Sequence, residues 1–193
     1  MTAVNTYAYQ IFYDRTNWEN AIVGSLKTDN FDNKINNADS ITFDSGVVST
    51  SLKSSEYNRI LSSGSYFGSV TSTSTLTWVF PWEILAFGFD IISINSGSQI
   101  SGNFDGLGNE IFNPANDNIS NQYNGFIGVI GNDTFDTIVF SGAGNRDSFS
   151  INNLSFSKAP TIPEPATLLL MGLGLFCLSC KRKKSHRDRR NIY

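Results

Sequence analysis

In the segment TLTWVFPWEILAFGFDI, residues 75 to 91, large apolar side chains fall on alternate positions. Leu76, Trp78 and Phe80 share one parity, and Phe87 and Phe89 share another. A period of two belongs to a strand with one face buried and one wet, the pattern of an antiparallel sheet with a single core side. Pro81 and Trp82, between the two runs, read as a strand end. Further runs have the same β-branched and aromatic character: YAYQIFY (7 to 13), SITF (40 to 43), GVVSTSL (46 to 52), NGFIGVIG (124 to 131), DTIVFSG (136 to 142, with Ile138 and Phe140 in phase) and SFSINNLSF (148 to 156). Gly, Asn, Asp and Ser clusters separate them. One helix stands out: Thr16-Asn17-Trp18-Glu19 reads as a capping box with Thr16 as N-cap, closed by Gly24, and Trp18, Ala21 and Ile22 facing the sheets. No dinucleotide, P-loop or nucleophile-elbow pattern accompanies these elements. The expected fold is all-β, an antiparallel jelly-roll-like two-sheet sandwich with one short helix, over residues 8–157.

Composition supplies one core and an uneven charge. The chain has 193 residues, 40% hydrophobic and 16% charged, with 15 Phe, 7 Tyr and 3 Trp, enough for one folded domain with appendages. Seven of its 14 Lys and Arg lie in residues 181 to 193 beside a single acid, Asp188, which leaves 7 basic and 16 acidic side chains in the first 180. Such a body repels a phosphate backbone, so nucleic acid is not an expected partner. The basic cluster suits a membrane surface.

Residues 166–180 carry no charge. As a helix they reach about 22 Å, short of the roughly 30 Å hydrocarbon core. Lys181, Arg182, Lys183 and Lys184 follow and can snorkel, the bilayer can thin, and seven Leu and Phe side chains contribute roughly −2 to −4 kcal/mol towards insertion. A single transmembrane helix over 166–180 is therefore expected, with 185–193 as a basic cytoplasmic tail and the acidic body across the membrane. Cys177 and Cys180 sit inside the apolar run, and the sole histidine is His186. A zinc site needs about four ligands and a redox C-x-x-C a βαβ setting, so the pair reads as small apolar residues in lipid or acylation sites.

Pro163-Glu164-Pro165, then an apolar helix, then a Lys/Arg cluster resembles the PEP-CTERM sorting signal of exported Gram-negative and cyanobacterial proteins. The resemblance implies recognition by exosortase, an integral-membrane cysteine-protease-like enzyme, with processing near the Pro-Glu-Pro. It also implies passage through a single-pass inner-membrane intermediate and delivery to the cell surface or exopolysaccharide matrix. The signal would occupy 163–184, behind a linker at 158–162. The two prolines hold the motif extended, as a protease substrate should be, and Glu164 sits just before the helix N-terminus. An exported chain should open with a charged and then an apolar leader, which MTAVNTYAYQIFYDRTNWEN lacks. Residues 1–7 are accordingly expected to be a remnant following a start site further upstream.

The body, too, is similar to lectin-like sandwiches found ahead of such tails. The similarity lies in Phe12-Tyr13-Asp14-Arg15-Thr16-Asn17-Trp18, Asp29-Asn30-Phe31-Asp32, Ala86-Phe87-Gly88-Phe89-Asp90, Gly125-Phe126-Ile127-Gly128-Val129 and Asp147-Ser148-Phe149-Ser150-Ile151-Asn152-Asn153-Leu154. It implies a carbohydrate-binding body and a structural Ca²⁺ held by Asp32 and Asn152, although this chain has Asn152 and Asn153 where such domains often carry acids. Ca²⁺ takes six to eight oxygens, more than that pair supplies. Asn103, Asp105, Asn109 and Glu110 in NFDGLGNE offer a second set of oxygens, read first as a polar β-turn using Asp-Gly for positive φ. Sugar contact would fall to exposed aromatics among Trp78, Trp82, Tyr66 and Tyr123; Trp78 follows the buried parity, which leaves Trp82 and Tyr123 as candidates. The polar loop Asn116 to Gln122 reads as solvated. No catalytic residue is expected: the body lacks histidine and cysteine, and nothing in the sequence pairs Glu56, Glu83, Glu110 or the aspartates at a hydrolase separation. A purely structural surface protein is the alternative to a binding module.

Overall fold

The computed structural model describes residues 9–52, 57–114, 123–144 and 146–158. The chain divides into two units, Met1–Ala159 and Pro160–Tyr193. Pro163-Glu164-Pro165, the expected anchor 166–180 and Lys181 to Lys184 lie outside the described residues, and among those described no helix is long and apolar enough to cross a membrane. In chain order the elements are β1 (Gln10–Phe12), α1 (Arg15–Ala21), β2 (Leu26–Asp29), β3 (Ser40–Thr42), β4 (Val48–Ser51), β5 (Asn58–Leu61), β6 (Ser65–Val70), β7 (Leu76–Ile94), β8 (Ser98–Gly102), β9 (Glu110–Phe112), β10 (Tyr123–Gly142) and β11 (Asp147–Lys158).

Two long strands organise the rest. In β7 the alternate residues Leu76, Trp78 and Phe80 are buried, as are Phe87 and Phe89. At about 3.3 Å per residue a straight strand would hold Trp78 and Phe89 roughly 36 Å apart; their ring centroids are 6.2 Å apart, and those of Phe80 and Phe87 6.3 Å. Hence β7 folds back on itself around Pro81. Its ladder with β10 shows how: Ile130 pairs Ala86, then Phe135 pairs Ile84, then Thr137 pairs Val79. Residues 131–134 of β10 face only Leu85, and then residues 80–83 of β7 face only Asp136; such bulges bend and twist a ladder. Pro81, with no N–H to donate, falls in the unpaired stretch.

The halves on either side of this corner face each other. One carries β3 and β4 on β7, and β8 and β9 on β10; the other carries β1 on β10, with β11, β2, β6 and β5 beyond β7. All are antiparallel, in the order β5-β6-β11-β7-β10-β8-β9 with β1, β2, β3 and β4 off that path. The all-β antiparallel expectation stands, and the two layers expected of a jelly-roll-like sandwich are the facing halves of one 11-stranded sheet, linked at the corner where the β7–β10 ladder shifts register. Segments 75 to 80 and 84 to 91, expected as two strands, are one β7; 124 to 131 and 136 to 142 are likewise one β10.

The helix also begins earlier than its sequence suggests. Asp14, not Thr16, is the N-cap, its Oδ1 accepting from the Asn17 amide at 2.8 Å. Trp18 is buried as expected and Ile22 packs beside it, whereas Ala21 remains exposed. The Trp18 indole donates to Val129 O at 3.4 Å and packs against Gly128, where a Cβ would meet Trp18 Cδ1 at 2.5 Å. That close approach requires glycine.

Between the facing halves, Trp78 is ringed by Phe43 at 5.2 Å, Tyr66 at 5.1 Å and Phe140 at 4.8 Å, all edge-on. Beside this hub lies a buried polar knot. Asn58, 0% exposed, accepts at Oδ1 from Ser49 (2.7 Å) and Tyr66 (3.0 Å), and its amide donates to Ala38 O and Ser49 O, both at 3.0 Å. Burial pushes the Tyr66 pKa up, so the phenol stays protonated and donates. Replacing Asn58 takes an acceptor from two buried hydroxyls and a donor from two carbonyls, and leaves Ser49 Oγ and Tyr66 Oη only each other at 3.1 Å. Asn58→Ala should therefore cost about 2–4 kcal/mol of stability in a denaturant titration. A loss under about 1 kcal/mol would show that water takes over the knot.

Candidate functional site

The corner that folds the sheet also opens a cleft. It encloses about 360 Å³ and is lined by Glu83, Gly102, Asn103, Asn109 and the β10 segment Thr134 to Thr137 with Val139. Its position follows from the ladder: residues 80–83 and 131–134 leave the pairing here, and Glu83 and Thr134 from these segments line the opening. The β10 excursion is tied down from behind, since the amides of Asn132 and Asp133 both donate to Phe104 O, at 2.7 and 3.2 Å. Phe135 is buried beneath the cleft, and Thr137 Oγ1 donates to Asp136 Oδ1 at 2.8 Å. Two exposed carboxylates, Glu83 and Asp136, and two exposed carboxamides, Asn103 and Asn109, thus rim one opening. Sequence spacing could not have brought position 83 to position 136; only the corner does.

The loop bearing Asn103 and Asn109 is the turn its Asp-Gly pair suggested. Gly106 has φ +77, the Leu107 amide donates to Asp105 Oδ1 at 2.7 Å, and the Gly108 amide donates to Asn103 Oδ1 at 3.1 Å. Glu110 Oε2 closes it by accepting from the Phe104 amide at 2.7 Å. Much of the oxygen once considered for a cation is therefore spent on the loop's own backbone.

The other sequence candidates scatter. Trp82 is half-buried, with Lys27 Nζ 5.1 Å from its ring centroid and the Phe156 ring 5.8 Å away, so it is not an open plate for a sugar. Tyr66 is core. Tyr123 opens β10 opposite Ile94, and its side chain lies outside the described residues, as do Glu56 and the loop Asn116 to Gln122. Asp32 is exposed beyond β2, while Asn152 Oδ1 accepts from the Asn153 amide at 2.7 Å. Among the described residues no group of three or more His, Cys, Asp or Glu could hold a metal ion.

Sequence reading missed Arg15. Its Nε donates to Asp90 Oδ1 at 3.0 Å and its Nη2 to Asn153 O at 2.9 Å, and its guanidinium lies 4.7 Å from the Phe126 ring centroid. Asn153, at φ +48 on an irregularity of β11, adds a bond from its side-chain Nδ2 to Asp90 Oδ2 at 2.7 Å. This set clamps α1 to the sheet. It is structural, because every group in it is taken.

The turn beside the cleft has a pH signature. Burial, and then a proton shared with Asp105, raises the Glu110 pKa, while the same contact, followed by the Leu107 amide, lowers that of Asp105. The raised Glu110 favours the folded state below the ordinary glutamate range, and that gain is lost as pH rises through its folded pKa. The lowered Asp105 contributes above the ordinary aspartate range, and its gain is lost as pH falls through its folded pKa. Carboxyl NMR titration should find Glu110 above and Asp105 below their usual values. In Asp105→Asn the Glu110 value should fall but stay raised, because burial remains; an unmoved Glu110 would disprove the coupling.

Comparison with known proteins adds the chain's other functional segment. No curated protein and no solved structure is significantly similar to it. A family model does match, the PEP-CTERM protein-sorting motif, over residues 161–183. Signals of this kind are processed by exosortase and imply export with a membrane-anchored passage. The expectation drawn from Pro163-Glu164-Pro165, the apolar run and the basic cluster therefore holds: this chain carries a PEP-CTERM protein-sorting signal.

Proposed function

We propose that the protein is an exosortase substrate exported to the cell surface or exopolysaccharide matrix, where its body acts as a non-catalytic, lectin-like carbohydrate-binding module. The observation that carries the sorting half is the motif match at 161–183. In this reading 166–180 is a temporary single-pass anchor in the inner membrane, 185–193 stays in the cytoplasm, and exosortase acts near Pro163-Glu164-Pro165. The corner cleft supports the binding half: carboxylates, carboxamides and threonine hydroxyls at one opening are the groups that hydrogen-bond sugar hydroxyls. Any Ca²⁺ would be structural and would need oxygens beyond Asp32 and Asn152.

The covered ring of Trp82 favours a second reading, a purely structural surface protein, since sugar modules commonly offer an open aromatic face. Hydrolysis has one point in its favour, the placement of Glu83 and Asp136 on the same cleft.

Sorting is tested by placing the full chain behind an export leader and replacing Pro163, Glu164 and Pro165 with alanine. The variant should accumulate uncleaved in the membrane fraction and fail to reach the surface, whereas unchanged maturation would remove the assignment. The body is tested on a glycan array with and without a chelator. Binding weakened by Glu83→Gln or Asp136→Asn supports the cleft, no binding in either condition leaves the structural reading, and release of reducing ends that Glu83→Gln abolishes would replace binding by catalysis.

A further inference from the structure

The body's positive charge is sparse, yet two arginines meet at one place on it. Arg59 of β5 lies directly opposite Phe67 of β6. Tyr57, two residues before Arg59, shares its side of the sheet by strand parity. That side is the outer one, because Asn58, Ile60 and Tyr66, of the opposite parity, are buried in the core. The Arg59 guanidinium carbon stands 4.5 Å from the Tyr57 ring centroid and 5.2 Å from that of Phe67. Arg146, from the segment leading into β11, stands 4.9 Å from the Tyr57 ring, and the two rings are 5.3 Å apart.

No carboxylate of the described residues neutralises this pair. Among the described residues both ion pairs are made by Arg15. Arg59 Nε is buried with no hydrogen-bond partner. Two like charges gathered over one ring repel each other, and the ring faces offset that only in part. A planar guanidinium presents its N–H donors as a fork, and Arg146, beside the Tyr57 ring, is exposed. A carboxylate matches that fork with two parallel hydrogen bonds.

We propose that the Tyr57–Phe67–Arg59–Arg146 platform binds the carboxylates of an acidic polysaccharide. The inference rests on the carbohydrate-binding reading of the body but uses residues that the corner cleft does not share. Charge selects this occupant over other anions. A nucleic-acid duplex or an anionic bilayer presents negative charge across a whole face and would meet a body with 16 acidic and 7 basic side chains over its first 180 residues. A polysaccharide offers its carboxylates singly, spaced along a narrow chain, and its hydroxyls can reach the half-buried Ser148 on the same side of β11.

Calorimetry on the full chain in uncharged detergent micelles tests this with an oligogalacturonate, its methyl ester and phosphatidylglycerol vesicles as probes. The acid form should bind, weakening about tenfold in Arg59→Gln or Arg146→Gln and again as salt rises from about 0.05 to about 0.2 M. The ester should not bind, and Arg59→Lys, which keeps charge but loses the fork, should recover only part of the affinity. Arg146 is exposed, so an unchanged melting temperature in Arg146→Gln separates a binding effect from misfolding. Equal binding of the ester, undiminished binding by Arg146→Gln, or vesicle binding that Arg146→Gln weakens as much as it weakens the acid form would overturn the proposal. Binding of a neutral glycan that depends on Glu83, with the acid form ignored, would overturn it alone; binding of neither would overturn the carbohydrate reading as well.

Discussion

The reversal of β7 at Pro81 is the constraint from which the rest of the body follows. A strand of 19 residues left straight would expose Trp78 on one end of a sheet and Phe89 on the other, each with half a core. Folded back, the same strand supplies both walls, and Phe140 and Phe149, stacked at 4.6 Å, repeat the closure one strand further out. The ladder gives up pairing on both strands to make the bend, five residues on each. Backbone groups released there need partners, and the amides of Asn132 and Asp133 find one in Phe104 O. The corner therefore shapes the core on its inner side and a polar cleft on its outer side. The two features share one cause.

Local pattern made the long strands legible and hid the short ones. In β7 and β10 an aromatic or branched residue recurs every second position, so burial could be read from parity at Leu76, Trp78, Phe80, Ile138 and Phe140. SYFGSV and SQISG offered no such contrast, yet they are β6 and β8. Their buried positions include Ser65, Ser69, Ser98 and Ser101, small side chains that pack on a sheet without announcing themselves as apolar. Serine clusters that looked like connections were strands. Unity of β7 was hidden for the opposite reason: Pro81 is a strand-ending signal in isolation, and only the complementary bulge at 131–134 lets the chain pass through it as a bend.

The helix start shows the same competition at smaller scale. Thr16 and Glu19 have the spacing of a capping box, but Asp14 offers a stronger acceptor two residues earlier, and its choice puts Arg15 in the first turn. From there Arg15 reaches Asp90 and Asn153. The cap is thus selected by a tertiary contact that a window of four residues cannot contain. Function divides along the same line. The sorting signal is linear, an ordered run of prolines, apolar residues and cations, so it could be read directly from residues 163 to 184. A site in the body is assembled from positions such as 83, 103 and 136, and no spacing rule connects them.

Three arginines of one folded body, all stacked on aromatic rings, show how packing separates a structural cation from a recognising one. Arg15 lies over Phe126, but its donors are consumed by Asp90, Asn153 O and Ser155, and removing it would loosen a helix. Arg59 and Arg146 lie over Tyr57 with no carboxylate of the described residues beside them. Holding two unneutralised charges together costs the body Coulombic energy, the more so with Arg59 Nε buried. A surface with 16 acids available over the first 180 residues could have placed one there at little cost. Among the described residues it did so for Arg15, where α1 is held to the sheet, and for neither Arg59 nor Arg146.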